Sequence, residues 1–140
     1  MIILDTNVVS ALMAGGREPA VIDWLDALPR PSVWTTAITV LEVEFGLESM
    51  SAGRRHDLRR AAFGRLLKEI LENRVLSFDA AAGRETAQLM AQRRRAGKPV
   101  DLRDAMIAGI ARATRGTLAT RNSRHFEASG IRIVNPWRGA

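Results

Sequence analysis

The 140-residue chain contains no cysteine. That absence excludes a disulfide framework, a Cys-ligated zinc and thiol catalysis. Histidine is scarce too: His56 and His125 are the only two, and without cysteine they supply no ligand set for a soft metal. No apolar run approaches the ~20 residues a membrane-spanning helix needs. No basic start followed by a long apolar stretch marks a secretion signal. The expectation is a cytoplasmic protein that stays out of membranes. Repeats, low-complexity tracts and linker-like segments are also missing, which predicts one domain over residues 1–140, long enough to bury a core unaided.

What is present is ordinary in amount and unusual in kind. Hydrophobic residues make up 46% and charged residues 26%, as in a globular protein. The net charge is +6 and the pI near 11.3. Lys68 and Lys98 are the only lysines, so the cations are nearly all arginine, whose planar fork of donors matches phosphate. A basic domain can hold nucleic acid electrostatically. Codon usage also enriches arginine, so charge alone does not decide the matter.

Along the chain, Ile2-Ile3-Leu4 reads as a buried strand that stops at Asp5-Thr6-Asn7. A short helix is expected over Thr6–Met13, broken by Gly15-Gly16, and a second from Pro19 to about Leu28, closed by Pro29-Arg30-Pro31. Val33–Ile38 reads as a strand, Thr39–Met50 as a helix and Arg54–Glu72 as a longer amphipathic helix. Val75–Asp79 is expected as a third strand, with Asp79 capping the Ala-rich helix that follows and that stops at Gly97-Lys98-Pro99. Asp101–Arg115 is a further helix terminated by Gly116, and Thr117–Thr120 and Ile131–Val134 are the last strands. Strands alternating with helices predict an α/β fold with a mostly parallel sheet covered on both faces.

Four places carry the candidate chemistry: Asp5, Glu42, Asp101 with Asp104, and Thr120-Arg121-Asn122. Each falls just after a strand or in the first turn of a helix, so the fold would bring them to one end of the sheet, where ligands bind. Each also has a plain structural explanation. Asp5 can cap the next helix, Thr39-Val-Leu-Glu42 has the form of a capping box, and Asp101 and Asp104 suit a helix start. Those explanations fit less well together. Asp5 follows a buried strand, and Asp104 shares a small-residue face with Ala108 and Ala111. Buried unpaired carboxylates are costly, and three of them call for a shared counter-charge. An oxygen-preferring cation, Mg²⁺ or Mn²⁺, would supply it, polarising a phosphoryl group and activating water.

These segments resemble the motifs of PIN domains. Ile2-Ile3-Leu4-Asp5-Thr6-Asn7 looks like the family's opening, and Glu42-Val43-Glu44-Phe45-Gly46-Leu47 resembles its second acidic motif. Asp101-Leu102-Arg103-Asp104-Ala105-Met106-Ile107-Ala108 resembles the third, with the family acid on Asp104. Leu118 to Phe126 is similar to the fourth, and Val134-Asn135-Pro136-Trp137 looks like the ending of FitB- and VapC-type toxins. Each motif is weak alone; in order along the whole chain they are specific.

The resemblance implies a three-layer α/β/α PIN fold and a Mg²⁺- or Mn²⁺-dependent endoribonuclease acting as the toxin of a type II toxin–antitoxin pair. It further implies a homodimer neutralised by a small VapB- or FitA-like antitoxin. Carried over by position, Asp5, Glu42 and Asp104 form the acidic metal site. Asn122 stands where many relatives have a fourth acid and His125 where an Asp is frequent; FitB-like relatives often carry Asn at the first of these. In the resulting scheme Asp5 and Asp104 bind the cation, while Glu42 completes its shell or orients water. Thr6 and Thr120 place hydroxyls at the rim, Asn122 positions water or phosphate, and Arg121 and Arg124 contact phosphate. The expected products carry a 5′-phosphate and a 3′-hydroxyl.

Arg54, Arg55, Arg59, Arg60 and Arg65 either track RNA backbone or form a solvated face. Arg93-Arg94-Arg95 complement a helix C-terminus. Both histidines are expected at the surface, and Trp24, Trp34 and Trp137 as core or interface anchors. Two other readings remain: a PIN-like module that holds RNA or a partner without cutting, and a phosphatase with Asp5 as nucleophile. The second lacks the usual Asp two residues on, where this chain has Asn7.

Overall fold

Ile3 and Leu4 are both fully buried although successive strand residues face opposite sides of a sheet. Their strand must therefore be covered on both faces. A computed structural model, which describes residues 1–138, shows this arrangement; Gly139 and Ala140, the last two residues of the expected domain, lie outside the described residues. The chain order is β1 (Ile2–Leu4), α1 (Thr6–Leu12), α2 (Pro19–Asp26), β2 (Val33–Thr36), α3 (Ala37–Glu48), α4 (Arg54–Arg65), β3 (Val75–Leu76), α5 (Ala80–Arg95), α6 (Leu102–Thr114), β4 (Thr117–Ala119) and β5 (Arg132–Val134). The strands form one five-stranded sheet in the order β3-β2-β1-β4-β5. Every pairing is parallel, with Ile3 opposite Trp34 on one side and Leu118 on the other.

Each face of the sheet has its own core. Leu4, Val8, Leu25, Leu47 and Phe63 pack on one side, against α1 to α4. Ile3, Leu89, Ile107, Leu118 and Phe126 pack on the other, against α5 and α6. This is the expected α/β/α layering. No helix among the described residues is long and apolar enough to cross a membrane.

Several boundaries differ from the sequence reading. β2 ends at Thr36, not Ile38, and α3 begins at Ala37, because the Thr36 hydroxyl caps the Thr39 N–H at 3.1 Å. β3 is two residues long rather than five: it sits at the sheet edge with β2 as its one neighbour, and Asp79 turns away to cap α5 at the Ala82 N–H, as expected. The long fourth helix loosens into a π-helical turn over Leu66–Ile70, and Glu72 and Asn73 then take positive φ. α6 ends on Arg115, itself left-handed at φ 57°. The next residue, Gly116, is small for a different reason: a Cβ there would meet Ile3 Cδ1 at 2.6 Å. The net geometric result is simple. Parallel strands place the ends of β1, β2 and β4 on one edge, directly before Asp5, α3 and Thr120.

Candidate active site

At that edge, Asp5 is 4% exposed and none of the described cations pairs with it. Its carboxylate is held from three directions. Oδ1 accepts the Thr6 N–H at 2.8 Å, and Oδ2 accepts the Thr120 hydroxyl at 2.6 Å and the Asn7 amide at 3.2 Å. The capping explanation of Asp5 is thus correct in part, through Thr6. Burial nevertheless pushes the carboxyl above its ordinary pKa. The bonds from Thr120 and Thr6 oppose the rise, and the charges of Asp104 and Glu42 add to it. The three acids are therefore within electrostatic reach of one another.

Glu42 arrives from α3. The capping box expected of Thr39 and Glu42 does not form, because Thr36 is the cap and Glu42 lies a turn further in. Its Oε1 instead accepts the Thr6 hydroxyl at 2.8 Å, and Thr6 in turn lies 3.1 Å from the Thr39 hydroxyl. Asp104 arrives from the first turn of α6. Asp101, not Asp104, caps that helix, accepting the Arg103 N–H at 2.9 Å. Ala108 and Ala111 are buried as expected, while the Asp104 side chain keeps 27% exposure.

Glu42 faces a guanidinium of the chain's own, and Asp104 faces an imidazole ring. Arg103 lies 3.7 Å from Glu42, and His125 Nδ1 lies 3.2 Å from Asp104. As these side chains stand, no three acidic or histidine groups among the described residues close around one point. The donor set still fits an oxygen-preferring divalent ion. Its central member is a buried carboxylate with no cation of its own, and its flanking acids raise the energy of ionising it.

The remaining candidates divide. Thr6 is at the rim. Thr120 is fully buried rather than at the rim, its hydroxyl committed to Asp5 while accepting the Asn122 N–H at 3.1 Å; it positions Asp5. Asn122 is exposed beside it. Arg121 stacks on the Trp137 ring, 4.8 Å from its centroid, and Trp137 Nε1 donates to Glu18 at 3.1 Å. Arg124 lines a small cavity of about 210 Å³ shared with Asp104 and His125. His56, expected at the surface, is half-buried against Asp57.

Three residues of the site were not singled out by sequence reasoning. Asn7 clamps the edge: its amide donates to Asp5, and its oxygen accepts the Arg121 N–H at 3.1 Å. Its place two residues after Asp5 was the available signal. Thr39 and Arg103 reach the site through contacts that no local pattern announces.

With the geometry in place, known proteins sharpen the picture. The PIN domain family model matches residues 2–131. The chain is 41% identical to the plasmid stability protein StbB of Pseudomonas syringae pv. tomato, over 98% of this chain and 99% of that one. It is also 41% identical to the VapC ribonuclease Y4jK of Sinorhizobium fredii, over the full length of both. Among solved structures, that of FitAB bound to an IR36 DNA fragment superposes with a TM-score of 0.88 at 31% identity, covering 98% of this chain and 96% of that one. The chain belongs to the PIN-domain family, in its VapC/FitB-like group.

Proposed function

We propose that the protein is a divalent-metal-dependent endoribonuclease, acting as the toxin of a type II toxin–antitoxin pair. The observation that carries the proposal is Asp5: a buried carboxylate with no cation, facing two further acids at the carboxyl edge of a parallel sheet. An acid kept there against desolvation, where capping would be served by an exposed Ser or Asp, is consistent with a shared cation. The kinship with Y4jK, a VapC ribonuclease, supports an RNA substrate, and the likeness to a solved toxin–antitoxin complex supports an antitoxin partner; a homodimer is proposed on the family resemblance alone.

Asp5, Glu42 and Asp104 would hold Mg²⁺ or Mn²⁺. When bound, such an ion stabilises charge developing on a scissile phosphate and lowers the pKa of water. The chain's own residues do the rest. Thr120, Asn7 and the Thr6 N–H fix the Asp5 carboxylate in one orientation, so none of its binding energy is lost to reorientation. Thr6 does the same for Glu42. Arg103 can leave Glu42 for a phosphate oxygen, and Arg124 lies beside Asp104 at the opposite flank. Asn122, exposed at the rim, would orient a phosphate or water.

The test is cleavage of labelled RNAs by purified protein with Mg²⁺ or Mn²⁺, with EDTA, and by Asp5→Asn. Metal-dependent cleavage abolished in the variant is expected. Undiminished cleavage in EDTA or by Asp5→Asn would defeat the mechanism. RNA bound tightly yet never cut under any metal would favour the non-cleaving binding module.

A further inference from the structure

β4 and β5 are parallel neighbours, so the segments that leave them run side by side at the carboxyl edge of the sheet. The first is Thr120-Arg121-Asn122, beside the acid centre. The second leads into a turn of 3₁₀ helix, Pro136–Arg138. The two are tied at their roots, where the Thr120 N–H donates to the Val134 carbonyl at 2.9 Å. Trp137, further along, is held from several sides. Its backbone N–H donates to Asn135 Oδ1 at 3.0 Å and its Nε1 to Glu18 Oε2 at 3.1 Å. The half-buried ring packs against the core formed with α1 to α4.

Arg121 lies over this fixed ring, its guanidinium carbon 4.8 Å from the centroid. The side chain makes no ion pair among the described residues, and an aromatic face attracts such a cation. Expected on phosphate, the guanidinium is instead committed to Trp137. Pinning Arg121 reaches Asp5 through Asn7. The Arg121 backbone N–H donates to Asn7 Oδ1 at 3.1 Å, while Asn7 Nδ2 donates to Asp5 Oδ2 at 3.2 Å and to Thr120 Oγ1 at 3.3 Å. An amide has one donor end and one acceptor end. With its oxygen held by Arg121, its nitrogen faces the carboxylate. Without that hold the amide is free to turn, and its oxygen would repel Asp5.

We propose that Trp137 is a positioning residue for Asp5: it pins Arg121, whose N–H sets the Asn7 amide that steers the carboxylate. Anchoring the Pro136–Arg138 turn needs only the Glu18 bond and the apolar contacts. The stacked arginine is additional, and it carries the N–H that the Asn7 oxygen accepts. The proposal rests on the ribonuclease reading for its effect on metal and RNA, but the state of the Asn7 amide can be measured without either.

The experiment compares the full chain with Trp137→Leu, Trp137→Phe, Arg121→Ala, and Trp137→Leu combined with Arg121→Ala. Trp137→Leu and Trp137→Phe both lose the Glu18 bond, so their difference isolates the ring face, and melting curves report any folding defect. In EDTA, Trp137→Leu and Arg121→Ala should shift the Asn7 side-chain amide resonances and speed their exchange with water. The same variants should bind Mn²⁺ about tenfold more weakly, a usual loss when a group supporting a metal ligand is removed. Trp137→Phe, which keeps a face for Arg121, should stay within about threefold of the parent. The double variant should bind no more weakly than the weaker single, because both act through one contact. In RNA cleavage kcat should fall while KM holds.

If Trp137→Leu melts lower yet keeps the parent's Asn7 resonances and Mn²⁺ affinity, Trp137 is an anchor only and the proposal fails. If Arg121→Ala raises KM and leaves kcat and the Asn7 amide unchanged, Arg121 serves RNA directly and the proposal fails. Displaced Asn7 resonances in a chain that binds no Mn²⁺ and cuts no RNA would uphold the positioning role and remove the ribonuclease reading.

Discussion

Glycine to alanine should have opposite effects at Gly46 and Gly109, although both lie inside helices. At Gly46 a Cβ meets nothing within 4 Å. The substitution there removes glycine's unfolded-state entropy and should stabilise by about 0.5–1 kcal/mol. At Gly109, α6 crosses α5 so closely that a Cβ would overlap Thr86 Oγ1 and stand 2.8 Å from the Ala82 carbonyl oxygen. A backbone oxygen cannot rotate away, so the helices must separate, at an overpacking cost of about 1–3 kcal/mol. Thr86 must also turn, giving up its 2.7 Å bond to the Ala82 carbonyl, worth about 1 kcal/mol. The helix-propensity gain of about 1 kcal/mol offsets part of this, leaving a net loss near 2 kcal/mol. In a domain of this size each kcal/mol moves Tm by roughly 2–4 °C. Gly109→Ala should therefore melt about 4–8 °C below the parent and Gly46→Ala about 1–4 °C above it, with urea unfolding at 25 °C giving the matching free energies. A Gly109→Ala protein as stable as the parent would refute the packing argument. Because α6 also carries Asp104, the same variant should bind divalent metal more weakly.

Two further predictions concern the buried acid. Folding raises the pKa of Asp5 from its ordinary 3.8, so the folded chain holds that proton more tightly than the unfolded chain. Its stabilising effect is present when the group is protonated and is lost as pH rises from the ordinary value through the raised one. Without metal near neutral pH, Asp5→Asn should thus melt no lower than the parent, with the difference shifting in the parent's favour toward acid pH. Melting curves across pH in EDTA check this, and a parent that outlasts the variant only near neutrality would contradict it. Thr120→Val removes the side-chain bond that most lowers the Asp5 pKa and leaves the Asn122 N–H without its acceptor. It should cost about 1–3 kcal/mol and move the Asp5 titration, followed by carboxyl NMR shifts, further upward; an unmoved titration would show that Thr120 does not act on Asp5.

Much of the site was legible from local signals. Ile3-Leu4-Asp5 reads as a buried strand ending in an acid because burial on both faces demands a continuous apolar run, and the structure agrees. The central strand position, shared by two cores, was not readable, since pairing order depends on contacts far apart in sequence. Where local signals competed, the reading slipped. Thr35, Thr36 and Thr39 all suit a helix start, and only the fold shows that Thr36 caps α3. That three-residue shift turns Glu42 from a capping residue into a partner of Thr6. β3 was overestimated because Ser77 and Phe78 have strand-like company but no neighbouring strand to pair with. Thr120, expected at the rim, is buried because β4 is central enough for its end to lie beneath Asp5. Arg103 against Glu42 and His125 against Asp104 are pairings across 61 and 21 residues, which no window of sequence contains.

If Asp5, Glu42 and Asp104 act together on one divalent cation, each should be needed for that ion to bind tightly. Calorimetric titration of Mn²⁺ into the parent and into Asp5→Asn, Glu42→Gln and Asp104→Asn tests it most directly. A saturable site is expected in the parent, lost in Asp5→Asn and at least about tenfold weaker in the other two. A parent that binds no metal, or an Asp5→Asn variant that binds it as tightly as the parent, would rule out a shared cation at Asp5.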